Sequence, residues 1–267
     1  MSVKAAKNEI TLYSKARFIH SWYKEWLTRN IEPEEDVMKT IDLHKPEGRF
    51  ELIILARLFN NYILEDKAIE YFHMFKRWFL QKGFNYKINQ ETTGVIDFNI
   101  LKDTSHEINR EFGRFIIINC PKTKTFDPEK NYADFVANAM AFSQEDLLHH
   151  INETNDGKDL LDVITYKLKG IKVKSFLIVR EMHKAGLWNI TKENLWMCCV
   201  SDSKVRNYLN DNGFVPKEHR IEKRQTAYTL AQLKEYSKTI WKFFNEPFEE
   251  KYFDLAIFRY LKEAGKA

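Results

Sequence analysis

Lys174 and Asp202 are the side chains of this 267-residue chain best suited by their surroundings to covalent and electrostatic chemistry. Lys174 stands near the start of an apolar helical pattern, just after Lys169 and Lys172. Those charges and the positive end of the helix dipole all oppose a further cation. They favour the neutral amine, the form that attacks an electrophilic carbon and makes a Schiff base. Asp202 ends the apolar run Met197-Cys-Cys-Val-Ser and precedes another helical pattern, so its carboxylate can stabilise positive charge that develops on a bound group. Each residue also has a plainer reading, Lys174 as a solvated surface lysine and Asp202 as the N-cap of the helix behind it.

The elements that position them are legible from periodicity and turn residues. Gly170 separates a helix over about 158–168 from one over about 173–184, a layout of helix, tight turn and helix. Such a turn points the free backbone N–H groups of the second helix outward, where they can hold a nucleic-acid phosphate without reading sequence. From Tyr166 to Arg180 the chain carries Lys167, Lys169, Lys172, Lys174 and Arg180 and no acidic residue. That stretch suits phosphates, or it is a solvated helix face. Further on, Ser203 to Asn212 reads as a helix closed by Gly213.

Elsewhere, scarce glycine and proline with apolar residues at three- and four-residue spacing predict a mainly α fold. A buried helix runs through Arg49–Phe59 and is interrupted by Asn60-Asn61. Helices follow over 65–81, with Ile69, Phe72, Phe75, Trp78 and Phe79 on one side, over 132–140 and 143–152, and finally over 229–244 and 249–263. Short β-branched segments around 95–119 predict a few strands or extended loops. The expected architecture is a two-lobed helical bundle, residues 1–48 with 215–267 and part of 85–130 forming one lobe and 49–214 the other.

Gly170–Met182 followed by Val200–Phe214 resembles the hairpin and catalytic-aspartate segments of the HhH-GPD superfamily of DNA glycosylases. Ser201–Phe214 fits that family's pattern of Asp, Ser, a basic or hydroxyl residue, Val and Arg ending at Gly and an apolar residue. The resemblance implies base excision. Asp202 would stabilise positive charge on the sugar as the N-glycosidic bond breaks, and Lys174 stands where lyase members carry the amine that attacks C1′. Gly170, Lys169, Lys172, Ser175, Lys204 and Arg206 would meet the DNA. Phe50–Trp78 is similar to the segment whose polar pair, here Asn60 and Asn61, enters the gap left by a flipped nucleotide, and Phe253–Tyr260 is similar to the closing helix. Phe59, Trp188 and Phe258 are candidates for stacking on an extruded base.

The sequence departs from the family pattern in places. Lys172 replaces the second glycine of the hairpin, and Asp202 follows Lys174 by 28 positions. That spacing is closer to the archaeal 8-oxoguanine glycosylases, with Gly186-Leu-Trp188-Asn as the intervening segment, and it favours 8-oxoguanine as the lesion. No cysteine follows Cys199, so no iron–sulfur cluster or other cofactor is expected. The histidines lack metal-ligand spacing, and no metal is expected either. The cysteines Cys120, Cys198 and Cys199 suit a reducing, cytoplasmic setting, nucleoid-associated in a prokaryote, with the adjacent pair packed in the core. A net charge of +4 is only mildly basic, and neither a signal peptide nor a membrane span is legible. The expected partner is duplex DNA carrying a damaged base, bound by a monomer. The alternatives are a helix-hairpin-helix DNA-binding protein without chemistry and a helical interaction protein with no DNA partner.

Overall fold

The structure, a computed structural model, describes residues 3–60, 65–81, 139, 142, 160–168, 171–222, 225, 228–248 and 251–263. Among these residues the secondary structure is helical throughout, as the periodicity predicts. The segments expected around 95–119, 132–140 and 143–152 fall outside them, save Ala139 and Phe142, which are helical and buried.

The chain forms two compact units, residues 33–178 and residues 1–32 with 179–267. The division expected from sequence lay at 48/49 and 214/215. Two sets of contacts account for the difference. Residues 33–48 fold onto the helix that follows them, where buried Arg49 donates to the carbonyls of Leu43 and His44, each at 3.2 Å. Residues 199 and 200 are tied by side chains to the last helices of the chain. Lys174 therefore belongs to the first unit and Asp202 to the second.

The 33–178 unit holds α2 (Pro33–Met38), α3 (Pro46–Asn60), α4 (Glu65–Gln81), α5 (Leu160–Lys167) and the start of α6 (Ser175–Lys184). Pro33 and Pro46 open their helices, where a missing N–H costs nothing. Glu34, Glu35 and Asp36 place negative charge at the positive end of α2. In α3, Phe50, Leu52 to Ala56 and Leu58 are all buried, as expected of a core helix. α3 packs on α4, and Lys76 Nζ meets Glu51 Oε2 at 2.8 Å across that contact. Burial pushes the Glu51 carboxyl above its ordinary range, and Lys76 opposes the shift. Gly48 is required by close approach, because a Cβ there would collide with the Asp42 carbonyl.

The other unit holds α1 (Val3–Leu27), the rest of α6, a 3₁₀ turn Lys192–Cys198, α7 (Ser203–Asp211), α8 (Leu230–Phe244) and α9 (Leu255–Glu263). α1 packs on α8 and α9, α7 on α9, and α8 on the 3₁₀ turn. A capping box between Thr229 and Gln232 starts α8. α7 ends at Gly213, whose φ of +77° admits the paired bonds Phe214 N to Leu209 O at 2.9 Å and Gly213 N to Asn210 O at 3.2 Å. Deep in this unit Arg259 pairs with Glu32, which also accepts from Tyr23 Oη at 3.0 Å, so the end of α1 is fastened to α9.

Candidate functional site

Asp202 sits half-buried at the head of α7, and its Oδ1 accepts the amide of Val205 at 2.8 Å. The N-cap geometry expected from sequence is therefore present, with extended backbone at φ −69° and ψ 174°. Among the described residues no donor engages Oδ2. One carboxylate oxygen is thus committed to the helix.

The segment that delivers Asp202 leaves the 3₁₀ turn at Cys199 in an extended conformation, yet no neighbouring strand pairs with it among the described residues. Three of its polar backbone groups are met by side chains instead. Ser237 Oγ on α8 donates to the Cys199 carbonyl at 2.7 Å. Asp254, just before α9, accepts the Val200 amide on Oδ1 at 2.8 Å. Arg206 on α7 donates to the Ser201 carbonyl and lies over the Tyr228 ring, 4.8 Å from its centroid. Each of these anchors is buried.

Asp254 is itself held from two directions. Arg180 Nη1 lies 2.7 Å from the same Oδ1, while Arg180 Nε bonds Glu181 Oε1 at 2.8 Å. Burial disfavours the Arg180 cation, but Asp254 and Glu181 more than offset it, and the guanidinium is raised above its ordinary range. From the other side, Phe253 occupies a left-handed conformation with φ of 53°, which a non-glycine residue adopts only where its surroundings impose it. Here the buried Asn245 side chain imposes it, accepting from the Phe253 amide and donating to the Phe253 carbonyl at 3.0 Å. The adjoining thiols are deeply buried. Burial pushes Cys198 up to about 12 and Cys199 well above the ordinary thiol range.

In the 33–178 unit, Lys174 is the last residue of a turn over 172–174, and α6 begins one residue later. Its carbonyl accepts the amides of Leu177 at 3.1 Å and Ile178 at 3.3 Å, so it occupies the cap position of α6. The helix expected from Val173 thus starts two residues late. The half-buried Lys174 ammonium lies over the ring of Phe59, 5.6 Å from its centroid, at the end of α3. Among the described residues no carboxylate pairs with it.

Several residues assigned to DNA or to a base pocket are placed otherwise. Ser175 is fully buried; its hydroxyl donates to the Lys172 carbonyl at 2.7 Å and lies 3.4 Å from Thr165 Oγ1, so it closes the turn instead of facing a phosphate. Arg206 is a loop anchor, and Arg180, counted among the basic residues of the hairpin, is a buried ion-pair partner. Trp188 is 1% exposed and offers no face to an extruded base, while its carbonyl accepts from His183 Nδ1 at 3.0 Å. Lys204 is exposed, Lys172 and Phe258 are half-exposed, and Phe59 is half-buried beneath Lys174. Lys169, Gly170, Asn61 and the side chain of Asn60 lie outside the described residues, and so therefore does the tight turn of the hairpin.

Sequence reasoning missed Ser237 and Asp254. Neither carries a local signature, because each bonds a backbone group more than thirty residues away, at separations of 38 and 54. Arg180 and Glu181 did leave a trace, as adjacent charges inside the apolar run Phe176–Met182.

Among the described residues no helix is long and apolar enough to cross a membrane, and no cluster of histidine, cysteine or acidic residues could hold a metal ion. Comparison with protein-family models, curated proteins and solved structures returns no match to this chain.

Proposed function

We propose that this chain is a DNA glycosylase with AP lyase activity, acting on duplex DNA that carries a damaged base, with 8-oxoguanine the favoured lesion. The observation that carries the reading is the state of Asp202. It is a carboxylate held by one oxygen at a helix head, on a segment in which the Cys199 carbonyl, the Val200 amide and the Ser201 carbonyl are anchored by buried side chains. A carboxylate so fixed suits a reaction in which charge develops on a bound sugar and must be met without reorganisation.

In the proposed reaction the Lys174 amine forms a bond to C1′ as the bond from C1′ to the base nitrogen breaks, and the departing base takes up a proton. The sugar ring then opens to a Schiff base. Loss of a C2′ proton and of the 3′ phosphate cleaves the strand, and water releases the amine. Asp202 stabilises the cationic sugar, and the amine, neutral when it attacks, gives up a proton after its bond to C1′ has formed. The contact with Phe59 gives the Lys174 side chain a defined place at the end of α3, and among the described residues no carboxylate stabilises its charged form against the neutral amine that attacks. Exposed Lys204, two residues after Asp202, suits a DNA phosphate.

Borohydride reduction in the presence of a duplex carrying 8-oxoguanine tests the proposal, followed by a panel of oxidised pyrimidine, alkylated and mismatched duplexes. A covalent complex should form with the native chain and not with Lys174→Gln, and Asp202→Asn should lose base release. A trap that survives Lys174→Gln removes the role given to Lys174. Duplex binding without base release across the panel leaves a helical DNA-binding protein, and no binding at low salt excludes that too.

A further inference from the structure

We infer that Ser237 and Asp254 are positioning residues that set where the Asp202 carboxylate stands, an inference that rests on reading Asp202 as the group that meets the sugar. An extended segment inside a sheet is held in register by its neighbours. Residues 199–202 have no such neighbour among the described residues, so their register is left to side chains. The buried anchors arrive from different helices: Ser237 on α8, Asp254 at the start of α9 and Arg206 on α7. Arg206 travels with Asp202 on the same helix, so among the described residues the side-chain hydrogen bonds that tie the segment to other helices are those of Ser237 and Asp254.

Stability alone does not explain these choices. Ser237 is fully buried in the middle of α8, where alanine is the better helix former and carries no polar atom to satisfy. Its hydroxyl could also bond the preceding turn of its own helix, but it reaches out to Cys199. Asp254 takes the Val200 amide on the oxygen that also faces Arg180, so its direction is fixed by a buried cation. The Asn245 bonds to Phe253 hold the corner from which Asp254 projects. A displacement of either anchor moves the backbone three or two residues before Asp202, and reacting groups misplaced by about 1 Å lose as much as about a hundredfold in rate.

The test uses the full chain with Ser237→Ala, which removes no charge, and, as a second variant, Asp254→Ala, which removes the acceptor of the Val200 amide. Three quantities are measured on each: hydrogen exchange at the Val205 amide, single-turnover base release from an 8-oxoguanine duplex, and affinity for a duplex carrying a tetrahydrofuran abasic analogue. In Ser237→Ala, base release should slow about tenfold to a hundredfold while abasic-duplex affinity changes less than about threefold. The Val205 amide should exchange about tenfold faster, as its bond to Asp202 loosens. Ser237→Cys, which keeps a weaker donor, should recover part of the rate. Native base release in both variants, with Asp202→Asn inactive, overturns the positioning role and leaves the glycosylase reading standing. If the native chain releases no base from any duplex, exchange alone decides: faster exchange at Val205 in Ser237→Ala upholds the positioning role without the glycosylase reading, and unchanged exchange overturns both.

Discussion

Oδ1 of Asp202 receives the amide of Val205 at 2.8 Å, so the carboxylate proposed to meet a cationic sugar also caps the helix behind it. The two roles separate by substitution. Asp202→Asn keeps an oxygen for Val205 and should melt near the native chain while base release falls by about 10²–10³-fold. Asp202→Ala should lose base release and, in addition, about 1 kcal/mol of stability for the missing cap. Urea unfolding of both variants beside single-turnover assays reads the difference. A stable, fully active Asp202→Asn protein would falsify the catalytic role.

The contact between the Lys174 ammonium and the Phe59 ring, 5.6 Å to the centroid, makes a second prediction. Phe59→Leu keeps an apolar side chain but removes the ring face, a loss of about 0.5–1 kcal/mol in the placement of the amine. The yield of borohydride-trapped complex should fall a few-fold, with little change in melting. Lys174→Gln should abolish the trap while far-ultraviolet circular dichroism stays native.

A third concerns Arg180 and Asp254, both buried and 2.7 Å apart. Removing one partner of a buried pair leaves the other charge without its full complement, at a cost of about 3–5 kcal/mol. Asp254→Ala should therefore destabilise by about that much, offset in part by Glu181, which remains beside Arg180. Asp254→Asn, which still offers an oxygen to Val200, should cost less. Equal losses in the two variants would contradict the account of Asp254 as a backbone anchor.

The buried thiols set a pH dependence. Cys198 is pushed from 9.0 up to about 12 by burial, and Cys199 moves the same way. Below about 9 the thiols are protonated in both folded and unfolded chains, and their contribution to stability is whole. Above it the unfolded chain binds fewer protons than the folded one, and that contribution is lost as pH rises toward about 12. Alkylation mapped by mass spectrometry at pH 8 should spare both residues in native protein and modify both in urea. Rapid native alkylation of either would show that its burial is wrongly described.

Much of the frame was legible from spacing alone. The bounds of α4 agree with the periodic pattern, Gly213 closes α7 as its position predicts, and Asp202 lies at a helix head. What spacing could not convey is which face of a helix looks inward when apolar and charged residues mix. Ser175 and Arg206 match positions of a DNA-binding motif, yet both side chains turn into the protein, because a turn and an unpaired extended segment each required a donor there. Arg180 looked like one more cation of a basic stretch. Its carboxylate partners lie one residue beyond that stretch and 74 residues further along, where a count of local charge does not reach.

The corner at Phe253, held in a left-handed conformation by Asn245, bears on how this chain tolerates change. A collection of random substitutions scored for loss of function should show sensitive positions scattered along the last thirty-odd residues, at 237, 245, 253 and 254, as well as around Lys174 and Asp202. A homologue that kept the aspartate but replaced those four would hold the same reactive group on a slack tether, and a motif search would count it as intact.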